Sequence, residues 1–103
     1  LLAINDLDAD GRDVSWLWDA AVESLATTPH RFVAGGTRAA DMALRLKYAG
    51  IVASAESDLE GSLQALVEAS QPGDTVYLIP TYTAMLGYLE LLRPGLSRQE
   101  AWT

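Results

Sequence analysis

Four aspartates fall within eight residues, Asp6–Asp13, and this acidic loop is where the sequence is richest in candidate chemistry. Asp6, Asp8 and Asp10, with a glycine directly after the third, match the first half of a calcium loop. The twelfth position of such a loop is a glutamate that binds through both oxygens, and Leu17 stands there instead. Calcium loops of this kind also lie between two helices, whereas this one follows an apolar segment. We therefore predict no metal site, and keep a calcium-binding module as an alternative.

Two residues at the end of the loop could serve a partner protein. Asp13 precedes a predicted helix, where an aspartate can cap free backbone N–H groups, and capping would also fix its carboxylate for a second task. Trp16 points away from the predicted inward face of that helix. An exposed tryptophan beside an acidic loop is typical of a protein interface, although packing against the loop or against a later helix explains it equally well. Trp18 is predicted to lie in the core.

Other residue types narrow the chemistry. The stretch Gly35–Arg38 opens a predicted helix and could hold an anion on free N–H groups, so a nucleotide-binding module is a further alternative. It is neither a P-loop nor a complete Gly-x-Gly-x-x-Gly motif. The chain has no cysteine and one histidine, His30, which is predicted at the opposite end of the sheet. A thiol nucleophile, a thiolate metal site and a two-histidine metal site are thereby excluded.

The length and net charge of the chain limit the number of domains and the classes of partner. The 103 residues predict one domain, 1–103, and half of them are hydrophobic, which is enough for a core. A net charge of −7 argues against binding to nucleic acid or to an anionic membrane. The apolar runs are too short to predict a transmembrane segment, and no signal peptide is visible. The sequence begins within a predicted strand and without methionine, which we interpret as a fragment of a longer protein.

Four short apolar runs alternate with four stretches of helical period. The predicted strands are Leu1–Asn5, Arg31–Ala34, Ile51–Ser54 and Thr75–Pro80. Short continuous apolar runs are typical of strands that are covered on both faces. This alternation predicts an α/β, Rossmann-like domain with about four parallel strands and helices on both faces.

Each predicted helix has an apolar face. The inward residues are Val14, Leu17, Trp18, Ala21 and Leu25 in the first helix; Ala39, Met42, Ala43 and Leu46 in the second; and Leu59, Leu63, Leu66 and Val67 in the third, which opens with the capping box Ser57–Glu60. The fourth helix is predicted from about Tyr82 to Leu92, with Pro94-Gly95 ending it and the residues beyond lying at the periphery.

Ligands and partners of such sheets meet the carboxyl ends of the strands, near the point where the strand order reverses. If the strand order is 3-2-1-4, the segments exposed there are Asn5–Asp13, Gly35–Arg38 and Pro80–Thr83. The fold thus predicts the acidic loop to be part of the functional end.

Three blocks of the sequence resemble one family. Asn5-Asp6 with residues 9–19 is similar to the signature of the C-terminal domain of MurT proteins, the Mur-ligase-like subunits of lipid II isoglutaminyl synthases. Residues 36–50 and 78–86 agree with the same family. The resemblance covers nearly the whole chain and implies a Mur ligase C-terminal fold.

The resemblance also implies a function. MurT proteins pair with GatD, a class I glutamine amidotransferase, and together they amidate the D-glutamate of lipid II with ATP and glutamine in the cytoplasm, at the inner face of the membrane. The family's C-terminal domain docks on the glutaminase and supplies the acid of its catalytic triad, and Asp13 matches that acid. Arg12, Trp16 and Asp19 would line the interface.

ATP and Mg²⁺ would be bound mainly by domains outside this sequence, so the fragment alone is expected to be inactive. By analogy with Mur ligases, the C-terminal domain also closes over ATP and substrate. Asn5, Thr37 and Arg38 are the candidate contacts with nucleotide or substrate. A purely structural cap domain is the remaining alternative.

Overall fold

The computed structural model describes residues 1–93. Strands and α-helices alternate after an irregular first connection that contains two 3₁₀ helices. The strands are β1 (Leu2–Ala3), β2 (Phe32–Gly35), β3 (Ala53–Glu56) and β4 (Ile79–Pro80); the α-helices are α1 (Ala39–Tyr48), α2 (Leu59–Glu68) and α3 (Tyr82–Leu92); the 3₁₀ helices are Ser15–Trp18 and Val22–Thr27.

The four strands form one parallel sheet in the order β3-β2-β1-β4. Leu2 lies opposite Ala34 on one side and Ile79 on the other, so β1 is central and the order reverses beside it. The predicted α/β class and the parallel sheet are confirmed, and the strand order is the one assumed above, 3-2-1-4. The carboxyl ends of β1, β2 and β4 consequently meet at one edge, where the acidic loop begins.

Two apolar clusters cover the two faces of the sheet. One face packs against α1 and the 3₁₀ helices through Ile4, Val14, Leu17, Val22, Ala34, Met42, Leu46 and Ile51. The other face packs against α2 and α3 through Leu1, Ala3, Val33, Leu66, Ala84 and Tyr88. Burial of these side chains on both sides of a short sheet is the main favourable term that holds the three layers together.

The prediction of one α-helix after β1 is wrong, because the segment forms two 3₁₀ helices instead. In an α-helix the carbonyls of Leu17 and Ala20 would accept from N–H groups four residues onward. Here both carbonyls accept from the guanidinium of Arg45, at 2.7 and 2.8 Å. A side chain from α1 has thus replaced two helical hydrogen bonds, and the helical ladder is interrupted.

Three residues predicted to face inward, Trp18, Ala21 and Val67, are exposed. Trp18 is half exposed and Val67 is 61% exposed. The Trp18 ring lies over the Arg45 guanidinium, 5.6 Å from its carbon, and meets Tyr48 edge-on. The interrupted ladder turns Trp18 out of the core and onto the surface of α1.

Strand boundaries also differ from the prediction. β3 begins two residues later than predicted, because Ile51 is buried beside α1 and its N–H donates to the carbonyl of Leu46. The end of β3 is exposed, as befits an edge strand, so it is not covered on both faces as predicted. β1 and β4 pair over two residues each, shorter than the apolar runs that contain them.

The helix boundaries are closer to prediction. α1 buries Ala39, Met42 and Leu46 as expected, and α3 spans Tyr82–Leu92. α2 is capped by Asp58, whose carboxylate accepts from the N–H of Gly61, one residue later than the predicted capping box. Pro94-Gly95 and the residues predicted to be peripheral lie outside the described residues. Among the helices within residues 1–93, none has the length and apolar character needed to cross a membrane.

Candidate functional site

Asn5 ties together the carboxyl ends of three strands. Its buried amide accepts from the N–H of Thr37 and donates to the hydroxyl of Thr83, each at 2.9 Å. Its own N–H donates to the hydroxyl of Thr81 at 2.9 Å. Asn5 follows β1, Thr37 follows β2 and the two threonines follow β4. The hydrogen bonds of Asn5 therefore join the carboxyl ends of these three strands at the base of the site. Its position is the one predicted, while the polar atoms of its side chain are already engaged within the fold.

Asp10 links the acidic loop to α3. Its carboxylate accepts from both the N–H (2.7 Å) and the hydroxyl of Thr83, in the first turn of that helix. Desolvation on its own raises the pKa of Asp10, but the hydrogen bonds from Thr83 and Leu7 outweigh it and leave this pKa below its ordinary value. An ionised Asp10 is therefore held at a helix N-terminus, where negative charge is favoured.

Asp6 is held by the turn that precedes α1. Its N–H donates to the Thr37 hydroxyl at 3.0 Å, and that hydroxyl donates to the Asp6 carboxylate at 2.8 Å. The Arg38 Nε lies 3.6 Å from Asp6 and 3.5 Å from Asp41. The N–H groups of Thr37 and Arg38 are engaged by Asn5 and by the carbonyl of Ile4. The anion-binding amides considered at this turn are therefore occupied by the protein itself.

The three aspartates of the calcium-like pattern face different partners. Asp6 contacts Thr37 and Arg38, Asp10 contacts Thr83, and Asp8 accepts from Arg12 Nε at 2.7 Å. Across residues 1–93, no three Asp, Glu or His side chains are grouped so that they could hold a metal ion. The arrangement of these three carboxylates does not fit a calcium cage.

Asp13 is exposed at the end of the loop, next to the first 3₁₀ helix. Its Oδ1 accepts from the N–H of Ser15, the first residue of that helix, at 2.9 Å, although the cap position itself is occupied by Val14. The backbone and the hydroxyl of Ser15 lower the pKa of Asp13. The result is a carboxylate that stays ionised at neutral pH, is fixed to the backbone, and remains accessible from outside the domain.

The side chains predicted to surround Asp13 at an interface are also exposed. Trp16 is 46% exposed, and Arg12 and Asp19 lie on the surface. Residues three apart share one side of a 3₁₀ helix, and the N–H of Asp19 donates to the carbonyl of Trp16. Trp16 and Asp19 thus lie on one side of the helix that Asp13 precedes.

Arg45 is the residue of this region that the sequence interpretation missed. It is 4% exposed, lies in the second half of α1, and reaches across to the segment that follows Asp13. Its guanidinium also binds both oxygens of Glu23, at 2.7 and 3.0 Å. The Glu23 backbone and then Arg45 lower the pKa of Glu23. Position 45 follows the inward-facing Met42 by three residues. This helical spacing was the signal in the sequence that could have placed Arg45 on the buried face of α1.

The opposite end of the sheet has a different character. A cavity of about 670 Å³ opens there, lined mainly by apolar side chains that include Leu1, Phe32 and Ile79. His30 lines it and meets Tyr77 edge-on. His30 is therefore remote from the acidic loop, as predicted.

Comparison with known proteins gives a consistent result. The family model described as MurT ligase C-terminal matches residues 1–85. The chain is 39% identical, over 88 residues, to the lipid II isoglutaminyl synthase (glutamine-hydrolyzing) subunit MurT of Streptococcus pneumoniae R6, with 82% of this chain and 19% of that protein covered. It is 36% identical, over 95 residues, to the MurT subunit of Staphylococcus aureus COL, with 89% and 21% covered. The chain thus spans about a fifth of the length of these relatives.

Proposed function

Because this chain belongs to the MurT ligase C-terminal family, we propose that it is the C-terminal domain of the ligase subunit of a glutamine-hydrolysing lipid II isoglutaminyl synthase. The whole enzyme would use ATP and glutamine to amidate the D-glutamate of lipid II, in the cytoplasm at the inner face of the membrane. The partner would be a GatD-type class I glutamine amidotransferase. The domain's own task would be to dock this glutaminase and complete its active site.

The observation that carries this proposal is the state of Asp13. A triad acid must be ionised, fixed in direction, and within reach of the histidine that it orients. Asp13 has a lowered pKa, a hydrogen bond that fixes its carboxylate, and an exposed position. The partner would bring the nucleophile and the histidine, since this chain has no cysteine and its one histidine lies at the other end.

The proposed mechanism for Asp13 is electrostatic and orientational. Its carboxylate accepts the Nδ1–H of the partner's histidine, which sets the tautomer and ring orientation of that histidine. When the histidine takes a proton from the nucleophile, the negative charge nearby stabilises the imidazolium. Trp16 supplies a large apolar anchor for docking, with Arg12 and Asp19 as polar contacts at its side.

On the ligase side, Arg38 is the strongest of the three candidate contacts. Asn5 and Thr37 are engaged in hydrogen bonds that join the strand ends. Arg38 is half-buried near Asp6 and Asp41, at the same edge of the sheet. ATP and Mg²⁺ would be held mainly by parts of the protein outside this sequence.

The test is Asp13→Asn in the full-length subunit assembled with its glutaminase. The amide keeps the shape and the bond from Ser15, but it has no charge and can present a donor to the histidine. We expect glutamine hydrolysis to fall by about 10²- to 10⁴-fold, as in other triads that lose their acid, while the complex still assembles. Asp74→Asn is the matched control, because Asp74 is an exposed turn residue whose change leaves this edge of the sheet untouched. Glutamine turnover that survives Asp13→Asn would exclude the catalytic role.

A further inference from the structure

We propose that Arg45 is a positioning residue that sets the location of the Asp13 carboxylate, an inference that rests on the function proposed above. Arg45 is a cation almost fully buried in the described part of the chain. A buried arginine needs hydrogen-bond acceptors for its donors, and losing them is costly. Where those acceptors lie therefore shows which part of the fold the side chain holds in place.

The guanidinium of Arg45 donates to acceptors in the segment after Asp13. Nε donates to the Leu17 carbonyl at 2.7 Å, and one terminal nitrogen donates to the Ala20 carbonyl at 2.8 Å and to the Glu23 carboxylate. Trp18 covers the guanidinium from the solvent side. The Arg45 side chain thus holds two turns of the irregular connection between β1 and β2 in place. These hydrogen bonds of Arg45 are called the clamp below.

A short path of hydrogen bonds joins this clamp to Asp13. Leu17 belongs to the 3₁₀ helix Ser15–Trp18, and its N–H donates to the carbonyl of Val14 at 3.1 Å. Ser15, which begins the same helix, donates its N–H to the Asp13 carboxylate. Any movement of this helix therefore moves the group that holds Asp13.

The competing structure explains why the clamp is needed. Short 3₁₀ helices have poorer hydrogen-bond geometry than α-helices and seldom extend further. Without the guanidinium, the carbonyls of Leu17 and Ala20 could accept from residues 21 and 24, which is the α-helical pattern. Conversion to an α-helix would rotate Ser15 about the helix axis and carry Asp13 away from its present position. Arg45 keeps this conversion from occurring.

The experiment is a double-mutant cycle on glutamine hydrolysis by the full-length subunit in complex with its glutaminase. The variants are Arg45→Lys, Asp13→Asn and the two combined. Lysine keeps the charge but cannot span two carbonyls and a carboxylate with a planar fork. We expect Arg45→Lys to lower kcat about tenfold with KM for glutamine unchanged, because a group that acts on the transition state alone is displaced. The double variant should be no slower than Asp13→Asn, since residues acting through one group are not additive.

Arg31→Lys is the control. It replaces an arginine by a lysine as Arg45→Lys does, but Arg31 is exposed at the amino end of β2, away from the site. Glu23→Gln is a milder variant that leaves the two carbonyl contacts in place, and we expect a smaller loss of kcat with KM again unchanged. This variant decides the question if Arg45→Lys does not assemble.

The outcomes separate the two proposals. If Asp13→Asn abolishes turnover while Arg45→Lys and Glu23→Gln leave kcat intact, the positioning role is wrong and the proposed function stands. The positioning role is also wrong if kcat of the double variant falls by the product of the two fold-decreases measured for the single variants. If Asp13→Asn leaves turnover intact, the catalytic role proposed for Asp13 is wrong, and the positioning role of Arg45 is wrong with it.

Discussion

Asp10 differs from Asp13 in what its carboxylate does. Both have a lowered pKa, but Asp10 accepts hydrogen bonds from Thr83 across the site as well as from Leu7, whereas Asp13 accepts only from its near neighbour Ser15 among the contacts described. The Asp10 contact joins residues 73 positions apart and anchors the acidic loop on α3. Asp10 therefore stabilises the loop, and Asp13 remains available to a partner.

This difference predicts a pH-dependent effect of Asp10→Asn. A carboxyl whose pKa is lowered by folding stabilises the folded state above its unfolded pKa of about 3.9, and this stabilisation is lost as the pH falls through the folded pKa. Capping contacts of this kind contribute about 1 kcal/mol. We expect Asp10→Asn to lower the free energy of unfolding by about that amount at pH 7 and by much less near pH 2.5. Urea denaturation at both pH values measures this, and an equal loss at both would contradict it.

At the scale of elements, the turn between β2 and α1 depends on close backbone contact. Gly36 has φ +86°, and a Cβ added there would lie 2.5 Å from the carbonyl oxygen of Ile4. The same carbonyl accepts from the N–H of Arg38 at 2.8 Å. The glycine thus allows the end of β1 to approach the start of α1, and this approach places Asn5 against Thr37.

Gly36→Ala should consequently be far more destabilising than Gly50→Ala. Gly50 ends α1 with φ +84°, but its Cβ would meet open space. The left-handed conformation alone costs a non-glycine residue about 1–2 kcal/mol, and only Gly36 adds a clash with backbone. Chemical denaturation of both variants measures the difference in the free energy of unfolding. Equal losses would show that the turn tolerates a side chain.

The elements also mark what sequence reasoning can and cannot predict. The parallel sheet follows from the alternation of short apolar runs with helical stretches and was predicted correctly, whereas its order 3-2-1-4 was only assumed. The first helix was predicted wrongly, because apolar spacing in residues 14–25 suits an α-helix and carries no information about Arg45. The spacing of position 45 from Met42 could indicate that Arg45 faces inward, but its contacts with the carbonyls of Leu17 and Ala20 are tertiary and leave no local pattern. Trp18 was misplaced for the same reason.

The position of the site was predicted from the sequence, but the contacts within it were not. That residues 5–13, 35–38 and 80–83 meet at one edge follows from the topology of a parallel sheet, and the contacts of Asn5 with Thr37, Thr81 and Thr83 confirm it. Which partner each aspartate takes could not be predicted from the sequence, because these contacts join residues up to 73 positions apart.

At the scale of the whole molecule, the two ends of the sheet are suited to different tasks. The carboxyl end carries the acidic loop and the exposed Trp16. The amino end carries an apolar cavity beside His30. In the proposed function, the carboxyl end is the one that presents Asp13 to the glutaminase. Its net charge of −7 would favour a partner whose docking surface is basic.

The most direct test is the structure of the full-length subunit bound to its glutaminase. We predict that a carboxylate oxygen of Asp13 lies about 2.6–3.2 Å from Nδ1 of the partner's catalytic histidine, with Trp16 buried in the interface. A complex in which a carboxylate of the glutaminase itself holds that histidine, with Asp13 beyond hydrogen-bonding distance, would contradict the account.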